Sequence, residues 1–370
     1  WFFFDVFGQS LPIAEDGSFY YETNLMIPGD ATLRVGRKSF EIFLVPGGEL
    51  EITFNLPEIY WSESRLFGKK DRRPLVWFEG TYAGLNTELT KYAGLTSIYS
   101  ADNFYENICG VTPAQYKKYV TKIYEKNRDE ILKNKLLSDA ARTYMINNLE
   151  MSYFFAIKGY KGTISYAPMI SGKKGVKRAD MTVGENYYDD ILRLDFIHSP
   201  YIRYGGYPDF VRAATEDFKG KFEPQPIWED ILRAKPLGSI LARLKPLSEK
   251  QMLTLDSISE PEIKKALTIR NQKVMDLLAE SAKKTGYTIC QLDTAVTADS
   301  LLAVITRPYR GKVVLIDMWN TWCGPCMRAM NSLKPVKEEL RDVIYVYVAD
   351  ESSPEGKWKI TIPDIHGIHY

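Results

Sequence analysis

The sequence predicts a multidomain α+β protein: an N-terminal antiparallel β-domain, a helical middle region and a C-terminal α/β domain. Three observations give this prediction. Residues 1–60 alternate apolar and polar positions between turn signals, which is typical of strands. Residues 61–285 mostly repeat apolar positions at helical spacing. Residues 286–370 alternate strand-like and helix-like segments, which is typical of a layered α/β domain.

Composition excludes several kinds of protein. The chain has 370 residues, enough for two or three domains, and its 48 basic and 47 acidic side chains leave a net charge of +1. This balance gives no electrostatic reason to expect binding to nucleic acid or to an anionic membrane surface. No stretch approaches the ~18 consecutive apolar residues of a membrane span. Four cysteines are too few for a disulfide-stapled scaffold.

The N-terminal region predicts a small meander or half-sandwich. Asp16-Gly17 is a turn signal, and three further breaks separate short alternating runs. It contains no candidate nucleophile or metal cluster, so we expect a structural or docking role. The chain starts on an aromatic run without an initiator Met, and we expect a segment upstream of it. The predicted strands cover residues 19–25, 33–35, 40–44 and 50–56.

The middle region predicts a charged connector over 61–80 and then a series of helices. One helix starts at Thr112-Pro113, and Ser138-Asp139 caps another. Residues 159–184 are rich in Gly, Lys and Ser and predict a loop. A shared apolar face predicts a helix around 237–244, a capping box at Ser248 predicts the start of another, and a longer helix is predicted over about 263–285. A tyrosine stripe on the first helix is typical of a core, although it could also line a ligand groove.

The same region offers one set of possible metal ligands. Asp189, Asp190 and Asp195 lie close together in sequence, with His198 after them. Their spacing matches no recognised ligand pattern, and exposed helix faces often carry such sets. We therefore predict no metal site, and nothing else in the sequence calls for a cofactor.

The C-terminal region predicts an alternation of strands and helices. A buried strand, with the apolar run Val313-Val314-Leu315-Ile316, comes directly before two cysteines. The last twenty-one residues, 350–370, predict a loop. The predicted strands cover residues 287–292, 312–318 and 343–348, and the predicted helices cover 298–306 and 324–340.

Cys323 and Cys326 form the motif around which this region is organised. A C-x-x-C between a strand and a helix is typical of thiol–disulfide chemistry, and no second ligand pair for zinc lies nearby. A helix N-terminus favours thiolate over thiol, so Cys323 is the predicted nucleophile. Cys326, one turn on, is the predicted resolving cysteine. Pro325 donates no N–H, so Gly324-Pro325 is expected to tune the redox poise.

Asp317 is the third candidate catalytic residue. A carboxylate that ends an apolar strand is costly to bury unless it has a function. Beneath the cysteine pair it could take the proton of Cys326, and burial should raise its pKa. The alternative is a solvent-exposed Asp at the strand end. Trp322 is expected to provide a surface for the substrate, and Trp319 to pack in the core.

The segment VVLIDMWNTWCGPC, residues 313–326, resembles the active-site segment of thioredoxins. The longer stretch from Gly311 to Tyr370 resembles TlpA-like thioredoxins of the periplasm or cell envelope. For about 286–370, this resemblance implies a thioredoxin-like domain with a redox-active Cys323–Cys326 disulfide. It further implies a disulfide-containing protein substrate and a redox partner that recycles the dithiol, and it is compatible with a lipid anchor in the upstream segment.

The chain departs from the thioredoxin pattern in two places. Asn331 occupies the position of the proline that usually kinks the helix, and the next proline is Pro335. The chain also stops at Tyr370, before the family's cis-proline loop and last strands. We therefore expect an incomplete domain, truncated at both ends of the chain, and a poor catalyst at this length.

The predicted function is a thiol–disulfide oxidoreductase, and the Gly-Pro dipeptide favours reduction of protein disulfides. The alternative is a cell-surface or periplasmic binding or assembly protein in which the thioredoxin-like module is redox-responsive or vestigial. A peroxidase ranks third. For Cys109 and Cys290, free buried thiols are favoured over a bridge between them.

Overall fold

The structure is a computed structural model, which describes residues 11–23, 25, 28–63, 73–177, 179–194, 206–293 and 295–370. The chain divides into two compact units, with the boundary in the sequence between Gln225 and Pro226. The described part of the first unit contains short antiparallel sheets and helices, and that of the second contains helices and a parallel sheet. The three-domain division at residues 60 and 285 stays a prediction.

The first unit begins with two antiparallel strand pairs. Strands β1 (Gly29–Val35) and β2 (Lys38–Leu44) form a hairpin, with Gly36 in the left-handed region at its turn. Strands β3 (Leu50–Phe54) and β4 (Val76–Gly80) form the second pair. Helix α1 (Leu56–Glu63) contributes to the same apolar cluster, whose buried members are Phe40, Ile42, Ile59, Val76 and Phe78.

Two predictions for this region are wrong. Residues 18–23 have no regular secondary structure, although their alternation predicted a strand. Alternation alone does not make a strand, because a ladder also needs a neighbouring strand. The predicted connector over 61–80 contains the end of α1 and the whole of β4. Of its charge run, residues 69–72 lie outside the described residues.

The predicted helix starts in the first unit are confirmed. Thr112 and Gln115 form a capping box, and the Ser138 hydroxyl accepts a hydrogen bond from the N–H of Ala141. Tyr116 is fully buried and donates to a backbone carbonyl, which confirms the core interpretation for this member of the stripe. The helices are α2 (Ala83–Lys91), α3 (Phe104–Asn107), α4 (Pro113–Lys133), α5 (Asp139–Lys158), α6 (Tyr160–Ser171) and α7 (Tyr207–Glu216).

Helix α6 corrects the predicted loop over residues 159–184. Tyr160, Ile164 and Ala167 lie at i, i+4 and i+7, and all three are buried. This apolar face packs in the unit despite the glycines and serine around it, because burial outweighs weak helix propensity. Only the part after Ser171 lacks a long helix. Short 3₁₀ turns in the unit cover Ala93–Thr96, Ile98–Ser100, Glu185–Tyr188 and Ile191–Arg193.

The second unit combines helices with a sheet of four parallel strands in the order β5-β8-β7-β6. The strands are β5 (Tyr287–Ile289), β6 (Val314–Trp319), β7 (Ile344–Ala349) and β8 (Gly367–His369). The helices are α8 (Ile227–Ala242), α9 (Glu249–Asp256), α10 (Pro261–Ala282), α11 (Ala298–Thr306), α12 (Gly324–Ser332), α13 (Lys334–Glu339) and α14 (Glu355–Thr361). Two short 3₁₀ turns cover Arg307–Tyr309 and Ile362–Asp364.

The structure corrects two predictions at the C-terminal end. The single helix predicted over 324–340 is two helices, because Pro335 has no N–H for the carbonyl of Asn331 and its ring would clash there. A break therefore exists, although Asn331 itself is not a proline. The tail over 350–370 is not a loop, since it forms α14, a 3₁₀ turn and β8.

The two faces of the parallel sheet carry separate apolar clusters. One cluster contains Trp319, Met330 and Tyr347, with Cys326 packed against it. The other contains Ile305 and Val346. Since successive side chains on a strand point to opposite faces, Asp317 shares the face of Trp319. No helix in the described part of the chain is long and apolar enough to cross a membrane.

Candidate active site

The cysteine pair lies where the chain leaves β6 and enters α12. Cys323 is the N-cap residue of α12, and Pro325 stands in the first turn, where a missing N–H costs nothing. The N–H of Cys326 donates to the sulfur of Cys323 at 3.3 Å. A sulfur here faces the positive end of the helix dipole. The strand, the cysteine pair and the helix thus follow one another as the sequence predicts.

The structure holds Cys323 and Cys326 as a disulfide, with Cα atoms 5.3 Å apart. Both cysteines are partly buried, whereas Gly324 and Pro325 between them are exposed. Cys326 packs on the apolar cluster under α12, and Cys323 caps the helix. A reagent that approaches from solvent meets the turn between the two cysteines, and Cys326 has the sheet beneath it.

The two tryptophans differ as predicted in their burial. Trp319 is 2% exposed and belongs to the core cluster, whereas Trp322 is 64% exposed beside the disulfide. The indole N–H of Trp322 donates to the hydroxyl of Ser352 at 3.0 Å. One hydrogen bond thus holds the edge of a large apolar ring that is mostly exposed to solvent.

The loop after β7 supports the turn that carries the cysteines. The hydroxyl of Ser353 accepts the N–H of Thr321 at 3.1 Å, and Ser352 is bonded to the carboxylate of Asp350. Sequence reasoning missed these residues. A signal existed, because parallel strands end at the same edge of a sheet, so the loops after β6 and β7 must meet.

Asp317 lies on β6 opposite Tyr347 of β7, on the face where Cys326 packs. Its carboxylate is half-buried, and no described residue gives it a hydrogen bond or an ion pair. Burial raises the pKa of Asp317, and the ammonium group of Lys337 acts in the opposite direction. The direction agrees with the expectation from the sequence, although the burial is only partial.

Lys337 on α13 is another residue of this site that sequence reasoning did not consider. Its ammonium donates to the carbonyl of His366 at 2.6 Å and lies 4.6 Å from the ring centre of Tyr347 and 4.9 Å from that of Tyr345. Burial lowers the pKa of Lys337, and the charge of Asp317 opposes that shift. A cation therefore lies on the same sheet face as the acid.

Tyr347 of β7 and His369 of β8 continue a row across the sheet that begins with Asp317 on β6, and these three residues are called the buried row below. Tyr347 and His369 are paired in register, fully buried and stacked, with ring centres 5.1 Å apart. His369 Nε2 lies 2.7 Å from the carbonyl of Ile365. Its Nδ1 and the hydroxyl of Tyr347 have no hydrogen-bond partner in the described part of the chain. Burial lowers the pKa of His369 and raises that of Tyr347.

The other candidates from the sequence lie elsewhere. Asp190 is paired with Lys117 at 2.8 Å, and Asp195 and His198 lie outside the described residues. Within the described ranges, no group of three His, Cys, Asp or Glu side chains could hold a metal ion. Cys109 and Cys290 are free and partly buried, and the sulfur of Cys109 lies 3.0 Å from the hydroxyl of Ser171.

Part of the chain is similar to thioredoxins. It is 36% identical over 75 residues to the bifunctional thioredoxin reductase/thioredoxin of Mycobacterium leprae (strain TN), a match that covers 20% of this chain and 15% of that protein. It is 25% identical over 99 residues to the chloroplastic thioredoxin F of Oryza sativa subsp. japonica, covering 27% of this chain and 51% of that protein. The chain thus spans about half or less of these curated relatives.

No protein-family profile matches the chain, and no solved structure matches it. The two curated similarities therefore carry the comparison alone. They support a resemblance of part of this chain to a thioredoxin-like redox module.

Proposed function

We propose that this protein is a thiol–disulfide oxidoreductase that reduces protein disulfides through Cys323 and Cys326. One observation carries the proposal: the pair lies at the N-terminus of α12, with Cys326 packed on the sheet face that also bears Asp317. A thiolate is stabilised at such a helix end, and a carboxylate on that face can accept a proton.

Reduction of a substrate starts from the dithiol form. The thiolate of Cys323 attacks one sulfur of the substrate disulfide, and the bond between the two substrate sulfurs breaks. The substrate sulfur that was not attacked, here called the first, leaves as a thiolate and takes up a proton. The product of this step is a mixed disulfide between Cys323 and the second substrate sulfur.

The resolving step closes the Cys323–Cys326 disulfide. The thiol of Cys326 gives its proton to Asp317 and attacks the sulfur of Cys323, which releases the second substrate sulfur as a thiolate. Two electrons have then passed from the cysteine pair to the substrate. A second dithiol protein must reduce the pair before the next cycle, so the proposal includes such a recycling partner.

Trp322 and the turn between the cysteines form the proposed contact surface. The exposed indole beside the disulfide provides an apolar area on which an extended substrate segment can lie. Gly324 adds no side chain there, so a substrate backbone can approach the sulfur of Cys323.

The proposal also includes a TlpA-like family and a location outside the cytoplasm. The resemblance of residues 311–370 to TlpA-like proteins supports a periplasmic or cell-envelope location, where a reductant of protein disulfides has substrates. Fractionation of cells that produce the natural protein tests the location. Recovery of the protein among cytoplasmic markers would contradict it.

A single-turnover assay tests the activity of the 370-residue chain. The chain is reduced and freed of reductant, and the rate of insulin-disulfide reduction is measured for the parent, Cys323→Ser and Cys290→Ser. We expect Cys323→Ser to abolish reduction, whereas Cys290→Ser, which alters a free thiol outside the cysteine pair, leaves the rate within about twofold. Equal rates for the parent and Cys323→Ser would contradict the proposal.

A trapping experiment tests the order of the two cysteines and identifies the substrate. Cys326→Ser should accumulate a mixed disulfide through Cys323, visible as an adduct that dithiothreitol releases. The double variant Cys323→Ser/Cys326→Ser is the control and should form none. Adducts through Cys109 or Cys290 instead would contradict the assignment of the nucleophile.

A redox titration tests the direction of the reaction. Known pairs of this kind span about −270 to −120 mV, and the proposed reductase should lie near the reducing end. A potential near the oxidising end would contradict reduction of substrates. If partners bind equally well to the parent and to the double serine variant, and no turnover occurs, the binding-protein alternative replaces the enzyme.

A further inference from the structure

Asp317 shares its sheet face with only a few ionisable groups. Among the described residues, those on the strands are Tyr287 of β5, Tyr347 and Tyr345 of β7 and His369 of β8, and those on α13 are Lys337 and its neighbour Lys334. Lys337 alone among these residues is a cation that acts directly on Asp317. Its helix is the short segment that follows the break at Leu333.

The position of the Lys337 ammonium is fixed by three contacts. It donates to the carbonyl of His366 at 2.6 Å, and the rings of Tyr347 and Tyr345 lie beside it at 4.6 and 4.9 Å. Tyr347 is in turn the cross-strand partner of Asp317. The ammonium is therefore held near the acid, and these two described residues form no ion pair.

This arrangement suits a group that must exchange a proton. A direct ion pair would occupy the carboxylate oxygens and hold the acid ionised too strongly. A cation held at a greater distance lowers the free-energy cost of burying the ionised carboxylate. It also leaves the carboxylate oxygens free to accept a proton. Partial burial keeps the interaction from being screened as it would be at the surface.

We propose that Lys337 is the positioning residue that keeps Asp317 in its carboxylate form at neutral pH, ready to accept the proton of Cys326. The proposal rests on the proposed function, because it concerns the resolving step of that reaction. It adds a residue from α13 and a prediction for the pH dependence. Lys337 acts through Asp317 and touches no reacting sulfur in this role.

The charges of the other groups fit this role. Burial raises the pKa of Tyr347 and lowers that of His369, so both are neutral at pH 7 and add no charge beside the acid. Lys334 is exposed and lies on the same helix, so solvent weakens its effect on Asp317. Removal of Lys337 thus removes the one cation near the carboxylate among the described residues.

The first test reads Asp317 itself and needs no substrate. The carboxyl ¹³C shift of Asp317 is followed against pH in the disulfide form, with Asp317→Asn to assign its signal. In Lys337→Met the titration midpoint should rise by about one pH unit, because the stabilising cation is gone. Lys337→Arg should restore the midpoint to within about 0.3 unit, and Lys334→Met should leave it unchanged.

The second test reads the reaction. The acid limb of the single-turnover rate should move to higher pH in Lys337→Met by the same amount, about tenfold in rate on that limb for a shift of one unit. Lys337→Gln serves as a second neutral variant if Lys337→Met folds poorly by circular dichroism. Equal midpoints in the parent and in the folded neutral variant would overturn the proposal, as would an equal shift in Lys337→Arg.

The two tests separate this inference from the proposed function. A shifted Asp317 midpoint without any disulfide reduction would support the role of Lys337 in the electrostatics of the site and contradict the proposed enzyme. Reduction with an unshifted midpoint would support the enzyme and overturn the role of Lys337.

Discussion

The α8–α10 helices and the β5–β8 sheet treat their buried polar groups differently. Asp230 of α8 is 5% exposed, and its carboxylate accepts hydrogen bonds from the N–H groups of Ser259 and Glu260. In the sheet, the hydroxyl of Tyr347 and Nδ1 of His369 are buried without a partner in the described part of the chain. One region satisfies its buried acid, and the other leaves polar atoms unpaired.

We interpret this difference as one between a structural acid and the proposed functional acid. Asp230 holds the N–H groups that precede α10, so its bonds stabilise the start of that helix. An unpaired buried polar atom costs about 1–3 kcal/mol, so such atoms are rare unless something else requires them. The described part of the chain has six such side-chain atoms, and two of them, in Tyr347 and His369, lie in the row that contains Asp317, where we propose proton transfer. The following predictions test whether the two acids differ in this way.

The largest expected effect is loss of activity in Asp317→Asn. The amide cannot accept the proton of Cys326, so the single-turnover rate at pH 7 should fall by about 100-fold. Reduced and oxidised forms of the variant are compared with the parent in the insulin assay. A variant that reduces insulin at the parental rate would show that the acid plays no part.

The same variant should not lose stability. The pKa of folded Asp317 is raised above its unfolded value of about 3.9, so the native state binds the proton more tightly. The Asp317 carboxylate therefore lowers the free energy of unfolding. This destabilisation is absent below the unfolded pKa, grows as pH rises through the folded pKa, and is constant above it. Urea midpoints at pH 3.5 and pH 8 should therefore favour Asp317→Asn at pH 8 only.

The next effect is a loss of stability in Asp230→Ala. The change leaves the N–H groups of Ser259 and Glu260 without their buried acceptor, and we expect a loss of about 2 kcal/mol in the free energy of unfolding. Asp276→Ala on the exposed side of α10 is the control, and should cost less than about 0.5 kcal/mol. Similar urea midpoints for both variants would remove the contrast between the two acids.

Local signals in the sequence predicted much of this unit. Thr297 forms the N-terminal capping box of α11, so the predicted span agrees with the structure. Alternation and apolar runs likewise located β6 and β7 to within two residues. The cysteine pair, the acid and the two tryptophans were identified because each lies in the segment 313–326, where sequence neighbours are also neighbours in space.

Long-range pairing set the limits of sequence reasoning. Strand β8 is three residues long, and it exists because β5 and β7 pair with it on both sides. The sequence around Lys337 is that of an ordinary helix and does not predict a role for it. Its environment is set by His366 and Tyr347, which belong to other elements. To predict the break before α13 from the sequence, the effect of Pro335 on a helix has to be compared with that of an apolar face that continues past it. The roles of Asp317 and the cysteines stay predictions.

A smaller effect concerns His369 and the pH dependence of stability. Burial lowers its folded pKa below the unfolded value of about 6.5, so the unfolded state binds more protons below that pH. The parent should lose stability as pH falls below about 6.5, by at most about 1.4 kcal/mol per pH unit. His369→Gln lacks this loss, so its deficit relative to the parent should shrink between pH 7 and pH 5.

The exposed His366 supplies the control for this prediction. His366→Gln makes the same substitution at an exposed imidazole and keeps the backbone carbonyl that Lys337 contacts, so the two variants differ in the burial of the ring that is lost. Urea midpoints by tryptophan fluorescence at each pH give the comparison. A parental slope that survives in His369→Gln would assign the pH dependence to other groups, and the buried row would lose its titrating member.

The smallest effect is expected for Trp322→Ala, which tests the surface of the site apart from its buried row. The ring is largely exposed and held by one bond to Ser352, so its loss should change the free energy of unfolding by less than about 0.5 kcal/mol. Lost contact with the substrate should raise KM by about fivefold, near 1 kcal/mol, with little change in kcat. Trp322→Phe, which keeps an aromatic surface, should recover most of the KM. A fall in kcat at constant KM would instead mean that the indole orients the disulfide, which would place Trp322 with Asp317 in the reaction rather than in substrate binding.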